Sequence, residues 1–287
     1  MDLTSGRAIN KKNQNKPTFI YWNKSGLLRG MFLANIVGAY KLSSTHPPFS
    51  FELKLSLNSS SELFPSIYFC FFFFSEKIQT EKFFEYFLKL DYSKQKIFLH
   101  FFIHQKLSKR KFDLEKFFEE IFPNKNYQIS IFNEISEAKM KSISLAKEKG
   151  FDFCYISSSI IESPLFLKSL VKKNITMVSP LLEDSKSNFN FWVKDFLQNK
   201  ETISQLFFED VKSFKGVWTF PIVYNSYLLK SSVFDLILTK FPSSLNLPNN
   251  QDYLQDYLFD FKLSCFMLEN SFFPQLMISN DTFGKMF

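Results

Sequence analysis

FDFCYISSSIIESP, residues Phe151 to Pro164, is the stretch on which the reading of this chain turns. FDFCYI is a short apolar run bounded by a polar cluster, the mark of a buried strand. It runs out into three serines, a polar turn at the place where a fold built on such a strand carries its chemistry.

The neighbouring segments alternate in the same way. FPSIYFCFFFF (64–74) is a continuous apolar run followed by Thr80 as N-cap and the amphipathic EKFFEYFLKL. KIFLHFFIH (96–104) reads as a strand, DLEKFFEEIF opened by Asp113 as a helix, and YQISIF (127–132) as a strand. SEAKMKSISLAKEK (136–149) reads as a helix closed by Gly150 in the left-handed cap position. After FDFCYI come PLFLKSLVKK, with Pro164 at the first helical position, and the strand ITMVS (175–179). Five such alternations predict an α/β fold with a mostly parallel sheet covered on both faces. Beyond Pro180 the pattern loosens into short strands within GVWTFPIVYNSYLL (216–229), a helix around Asp252 to Leu268, and a last strand near Gln275 to Ser279.

Composition agrees with a globular chain: 287 residues, 45% hydrophobic and 22% charged. The 40 phenylalanines recur inside periodic segments between Lys and Glu, so they read as core fillers. The formal charge of +7 is spread along the chain and alternates with acids, which describes solvated helix faces and not a nucleic-acid surface. The densest basic run, KLSKRK (Lys106 to Lys111), is a short loop, the place for a modest anionic contact. Cys70, Cys154 and Cys265 lie among apolar neighbours without CxxC spacing and read as buried thiols, one disulfide with one thiol left over being the open alternative. His46, His100 and His104 form no metal set; on a strand His100 and His104 point one way as half-buried residues. Residues 1–16 lack the apolar centre of a secretory leader, and 64–74 is too short to span a bilayer. Four Asn-x-Ser/Thr acceptors, at Asn23, Asn58, Asn174 and Asn280, are compatible with a secretory life.

Three groups of residues then carry a resemblance. PTFIYWNKSGLLRGMFLANIVGAY (17–40), FFEYFLKLDYSKQKIFLHFFIH (83–104), and the pair MVSPLLEDSKSNFNFW (177–192) and KGVWTFPIVYNSYLLK (215–230) resemble the middle part of the procollagen lysyl hydroxylases. More distantly they are similar to the collagen galactosyltransferases. The resemblance implies a Rossmann-like nucleotide-sugar-transferase fold of the GT-A type. It divides the chain into a polar tail (1–16), a remnant resembling the end of a preceding glycosyltransferase domain (17–45), a linker (46–62) and an accessory glycosyltransferase-like domain (63–287). It also implies residence in the endoplasmic reticulum lumen and partnership with collagen or a collagen-modifying complex. The family's C-terminal dioxygenase falls outside the residues matched, and three scattered histidines do not make its iron triad.

The same resemblance shows departures. The family's Asp-x-Asp motif falls on Ile156 and Ser158, or with a one-residue shift on Ser157 and Ser159, and neither choice supplies a carboxylate. Paired carboxylates there would hold Mn²⁺ against the diphosphate of a nucleotide sugar, whereas serine hydroxyls are weak ligands for that ion. The metal histidine of the preceding domain falls on Tyr21. Asp252, Asp256 and Asp260 share one face of a helix, and Asp256 or Asp260 matches an acid retained in both branches of the family; without partner acids the expectation is a helix-surface role. Glu162 is expected to open the next helix. Trp218 reads as core, while Asn190 and Trp192 either line a residual sugar-nucleotide cleft or pack. The resulting expectation is a non-catalytic scaffold with no cofactor. The alternatives are a divergent UDP-sugar hexosyltransferase using Mn²⁺ with Glu162, Asp256 or Asp260, and a fragment of a full-length lysyl hydroxylase.

Overall fold

The computed structural model describes residues 56–60, 63–74, 80–121, 126–183, 190–192, 216–219, 222–241, 252–272, 274–278 and 284–285. The expected tail (1–16), the remnant (17–45) with Tyr21, and most of the linker lie outside them.

The strand-helix alternation is present. In chain order the elements are β1 (Ile67–Phe73), α1 (Thr80–Lys89), β2 (Ile97–His104), α2 (Lys111–Ile121), β3 (Tyr127–Phe132), α3 (Ile135–Glu148), β4 (Phe153–Ser157), α4 (Phe166–Lys173) and β5 (Met177–Pro180). There follow the short strands β6 (Leu182–Glu183), β7 (Phe191–Trp192), β8 (Gly216–Thr219) and β9 (Ile222–Val223), then β10 (Ser226–Lys230), α5 (Phe234–Lys240), α6 (Asp252–Glu269), β11 (Gln275–Ile278) and β12 (Gly284–Lys285).

Eight strands form one sheet in the order β3-β2-β1-β4-β10-β5-β11-β8. β1 to β5 and β11 run in one direction, while β10 and β8 run against them. The sheet is therefore mostly parallel, with an antiparallel strand wedged between β4 and β5. Minor two-stranded pairings join β12 to β6 and β7 to β9.

Strand periodicity sorts the core into two layers. From β1, Ile67, Phe69, Phe71 and Phe73 face α1, α2 and α4, while Tyr68, Cys70 and Phe72 face α3, α5 and α6. All seven are buried, which is why β1 reads as an unbroken apolar run. The phenylalanine excess goes into this sandwich: Phe71 lies opposite Phe101 and Phe72 opposite Phe102, with ring centroids 5.4 and 4.8 Å apart. Each such burial contributes about 1.5–3 kcal/mol.

Helix boundaries follow the capping logic with small differences. α3 ends as expected, Gly150 taking φ 72° while the Phe151 N–H donates to the Ala146 carbonyl at 2.9 Å. α4 begins at Phe166 instead of Pro164, so Glu162 stands exposed in the β4–α4 connection and opens no helix. None of the three cysteines is in a disulfide; Cys70 and Cys154 are fully buried, whereas Cys265 is only partly so. His100 and His104 do share a face of β2, but both are buried, not half-buried. The His100 Nδ1 lies 2.6 Å from the Tyr68 hydroxyl and its Nε2 2.8 Å from the Ser130 hydroxyl. Burial, reinforced by Lys141 and Lys149, pulls the imidazole down to a pKa of about 3, so it is neutral.

Candidate functional site

The sheet order turns at β1, which has β2 on one side and β4 on the other. The carboxyl ends of strands at such a switch point form the ligand crevice of open α/β sheets. β4 delivers Ser157, Ser158 and Ser159 there, and antiparallel β10 brings Asn225 and Ser226 to the same place, Ser226 pairing with Ser157.

The serines are already engaged. The Ser157 hydroxyl donates to the Ser159 carbonyl at 2.8 Å and accepts from the Ser159 N–H at 3.1 Å, closing a local turn. Ser158 donates its N–H to the Asn225 carbonyl at 2.9 Å. Its hydroxyl lies 3.1 Å from Asp256 Oδ2. Ile156 points into the apolar layer beneath α3 and α6.

Asp256 and Asp260 are where the expectation of a helix-surface role fails. They are 4% and 0% exposed, because α6 turns that face inward together with Phe259, Leu263 and Met267. Between them sits Lys139 from α3, itself 1% exposed. Its ammonium contacts Asp260 Oδ1 at 2.6 Å and pairs closely with Asp256 Oδ1. Asp260 also accepts from the Tyr227 hydroxyl at 2.7 Å and from the Asn225 N–H at 2.9 Å, where a left-handed φ of 65° aims the amide inward. The rings of Phe259 and Tyr227 lie 5.3 and 5.6 Å from the ammonium.

The electrostatics follow from burial. Desolvation opposes the Lys139 charge, but Asp256 and Asp260 together overcome it and its pKa is raised. Asp260 is pushed up to about 6 by desolvation, opposed by Lys139 and assisted by repulsion from Asp256. At neutral pH the cluster is an ammonium held by two carboxylates, its remaining negative charge met by the Tyr227 hydroxyl, the Asn225 N–H and the Ser158 hydroxyl. Tyr227 is itself raised well above the ordinary phenol value, by burial and then by Asp260, and stays a donor.

This donor set does not fit the divalent cation that a nucleotide-sugar transferase holds. Such an ion takes about six oxygen ligands, several of them anionic. Here the two buried acids are spent on an internal ammonium, and Ser157 and Ser158 on neighbouring protein groups. Among the described residues no three His, Cys, Asp or Glu side chains converge as a metal site. Glu162 is exposed in the β4–α4 connection, whereas Asp256 and Asp260 are buried. A cavity of about 20 Å³ between α1 and the sheet, lined in part by Phe69, Phe87, Tyr155 and Ser159, has room for one water molecule only.

Asn190 is no cleft residue. It is fully buried; its amide nitrogen donates to the Ser179 hydroxyl and the Pro180 carbonyl, both at 2.8 Å, and its Oδ1 accepts from the Leu182 N–H at 2.7 Å. It bolts the segment after β5 to the approach of β10. The Trp192 backbone pairs with Ile222, and its side chain, like that of Trp218, lies outside the described residues.

Sequence reading missed Lys139, Tyr227 and Asn225. For Lys139 a signal existed: Ile135, Ala138, Ser142, Ile143 and Ala146 mark the buried stripe of α3, and Lys139 falls within it.

No protein-family model matches the chain, and no curated protein matches it. Solved structures do. A mannosyltransferase, PcManGT from Pyrobaculum calidifontis, solved with GDP-mannose and Mn²⁺, aligns over 91% of this chain and 66% of its own, with 12% identity and a TM-score of 0.50. GalNAc-T7, solved with UDP, GalNAc and Mn²⁺, aligns over 78% of this chain and 44% of its own, also at 12% identity and a TM-score of 0.50. The chain thus spans less than two thirds of the length of either protein. The fold is that of the GT-A glycosyltransferases.

Proposed function

We propose that this chain is a non-catalytic, glycosyltransferase-like accessory domain of a procollagen lysyl hydroxylase-like protein, working in the endoplasmic reticulum lumen as a scaffold that engages collagen or the enzymes that modify it. The observation that carries the reading is Lys139 lodged between Asp256 and Asp260. By the resemblance, one of the two, Asp256 or Asp260, matches an acid that an active relative would have free for metal or catalysis, and here both neutralise a lysine. Serine at positions 157 to 159 points the same way, since hydroxyls bound to their own backbone and to Asp256 offer a cation little. The collagen assignment is supported by sequence resemblance in 177–192 and 215–230, segments that supply β5 to β10.

On this reading the domain needs neither Mn²⁺ nor a nucleotide sugar. A thermal-shift screen with UDP, UDP-galactose and UDP-glucose, each with and without Mn²⁺, tests it. A ligand held at 100 times its dissociation constant stabilises a fold by about 2.7 kcal/mol, and no such shift is expected. Transfer of labelled hexose to a hydroxylysine peptide, abolished by Asp256→Asn or Asp260→Asn, would overturn the reading in favour of a divergent transferase.

A further inference from the structure

The described residues contain two of the four Asn-x-Ser/Thr acceptors, and the fold treats them differently. Asn58 opens Asn58-Ser59-Ser60 on a turn ahead of β1. The Ser59 N–H donates to the Ser56 carbonyl at 2.9 Å, the Ser56 N–H to the Ser59 hydroxyl at 3.0 Å, and the Asn58 N–H to the Ser56 hydroxyl at 3.2 Å. The turn is fixed from below. Lys168, 2% exposed, donates to the Ser59 carbonyl at 3.1 Å, reaches the Leu57 carbonyl at 3.4 Å, and is itself held by Asp91 at 2.8 Å. Both residues flanking Asn58 are thereby tied to α4, while Asn58 is exposed and no described residue binds its carboxamide.

Asn174 opens Asn174-Ile175-Thr176 but is built into the fold. It closes α4 in the left-handed conformation at φ 54°, its N–H donates to the Val171 carbonyl at 2.9 Å, and Ile175 beside it is 4% exposed. The Thr176 carbonyl accepts from the Lys230 N–H at 2.9 Å, tying the segment to β10. A glycan needs the acceptor peptide on the surface with room around it.

We propose that Asn58 is an N-glycan acceptor and that the fold withholds Asn174. The donor class is a lipid diphosphate-linked oligosaccharide. The Asn58 amide nitrogen bonds to C1 of the first sugar, the C1–O bond to the diphosphate breaks, the lipid diphosphate leaves with the electron pair, and the amide gives up one proton. The proposal rests on the lumenal reading above for the compartment in which the donor is met.

The test expresses the full chain in eukaryotic cells, once as it stands and once behind a secretory leader. Digestion by peptide-N-glycosidase in heavy-oxygen water, followed by peptide mass spectrometry, reads each asparagine separately. In the leader-directed chain the Asn58 peptide is expected to be labelled in most molecules and several-fold more than the Asn174 peptide. Asn58→Gln and, separately, Ser60→Ala should each erase the Asn58 label. An unlabelled Asn58 in the leader-directed chain, or occupancy at Asn174 equal to it, overturns the proposal. Label at Asn58 with the leader but none without it supports the acceptor site.

Discussion

Replacing Lys139 by methionine keeps the length and most of the volume of the side chain while removing the charge that Asp256 and Asp260 share. At the 2.6 Å separation from Asp260 the attraction is about 6 kcal/mol at an effective dielectric of 20, most of it offset in the native protein by the cost of burying the ions. Deleting one partner removes the attraction but leaves the desolvation, so Lys139→Met is expected to destabilise the fold by about 3–5 kcal/mol at pH 7. That corresponds to a fall in Tm of roughly 6–20 °C. The defect should shrink in acid. Without the ammonium the Asp260 carboxyl, already raised by burial and by repulsion from Asp256, loses the partner that held it down, so the folded state holds more protons and gains stability as pH falls. Lys139→Met combined with Asp256→Asn and Asp260→Asn, which leaves no buried charge, should recover most of the loss. Urea melts of the wild type, the single variant and the triple variant at pH 7 and pH 5 decide the matter. A single variant within about 1 kcal/mol of wild type at pH 7, or a gap that widens in acid, refutes the reasoning.

His100 gives a pH signature of opposite sign to that of Asp260. Its pKa falls from 6.5 to about 3 on folding, so its contribution is complete above pH 6.5 and is lost as pH falls below that value. By pH 5 the loss is about 2 kcal/mol, which His100→Gln should abolish; a difference between variant and wild type that stays constant from pH 7.5 to pH 5 in denaturant melts would contradict it. Asn190→Ala strands the Leu182 N–H in the interior, takes one of its donors from the Pro180 carbonyl, and should cost about 1–3 kcal/mol in the same assay, whereas a cleft residue would cost nothing. Phe72→Ala, which opens a void between Phe102 and Phe132, should cost about 3–5 kcal/mol, and a loss below about 1 kcal/mol would show that Phe72 is not in the core.

The sheet was legible because buried parallel strands read as unbroken apolar runs and the helices between them as amphipathic ones. β1, β4 and the Gly150 cap come directly from that pattern. The antiparallel setting of β10 between β4 and β5 was not legible, since SYLLK carries no mark of direction or neighbour. At the candidate site, the three serines and the i, i+4 spacing of Asp256 and Asp260 were visible. Their burial was not, because the inward face of α6 is set by packing against α3, whose Lys139 lies 121 residues away from Asp260 in the chain. A lysine in an amphipathic helix ordinarily reads as solvated, and only its phase among Ile135, Ala138 and Ile143 distinguishes this one.

Titration of the wild-type chain with Mn²⁺ in the presence of UDP, followed by the paramagnetic resonance signal of the free ion, tests the central claim most directly. With Lys139 already between the two acids, the free-ion signal should rise with added metal as it does in buffer. Loss of that signal at micromolar metal, with one equivalent bound per chain, would contradict it.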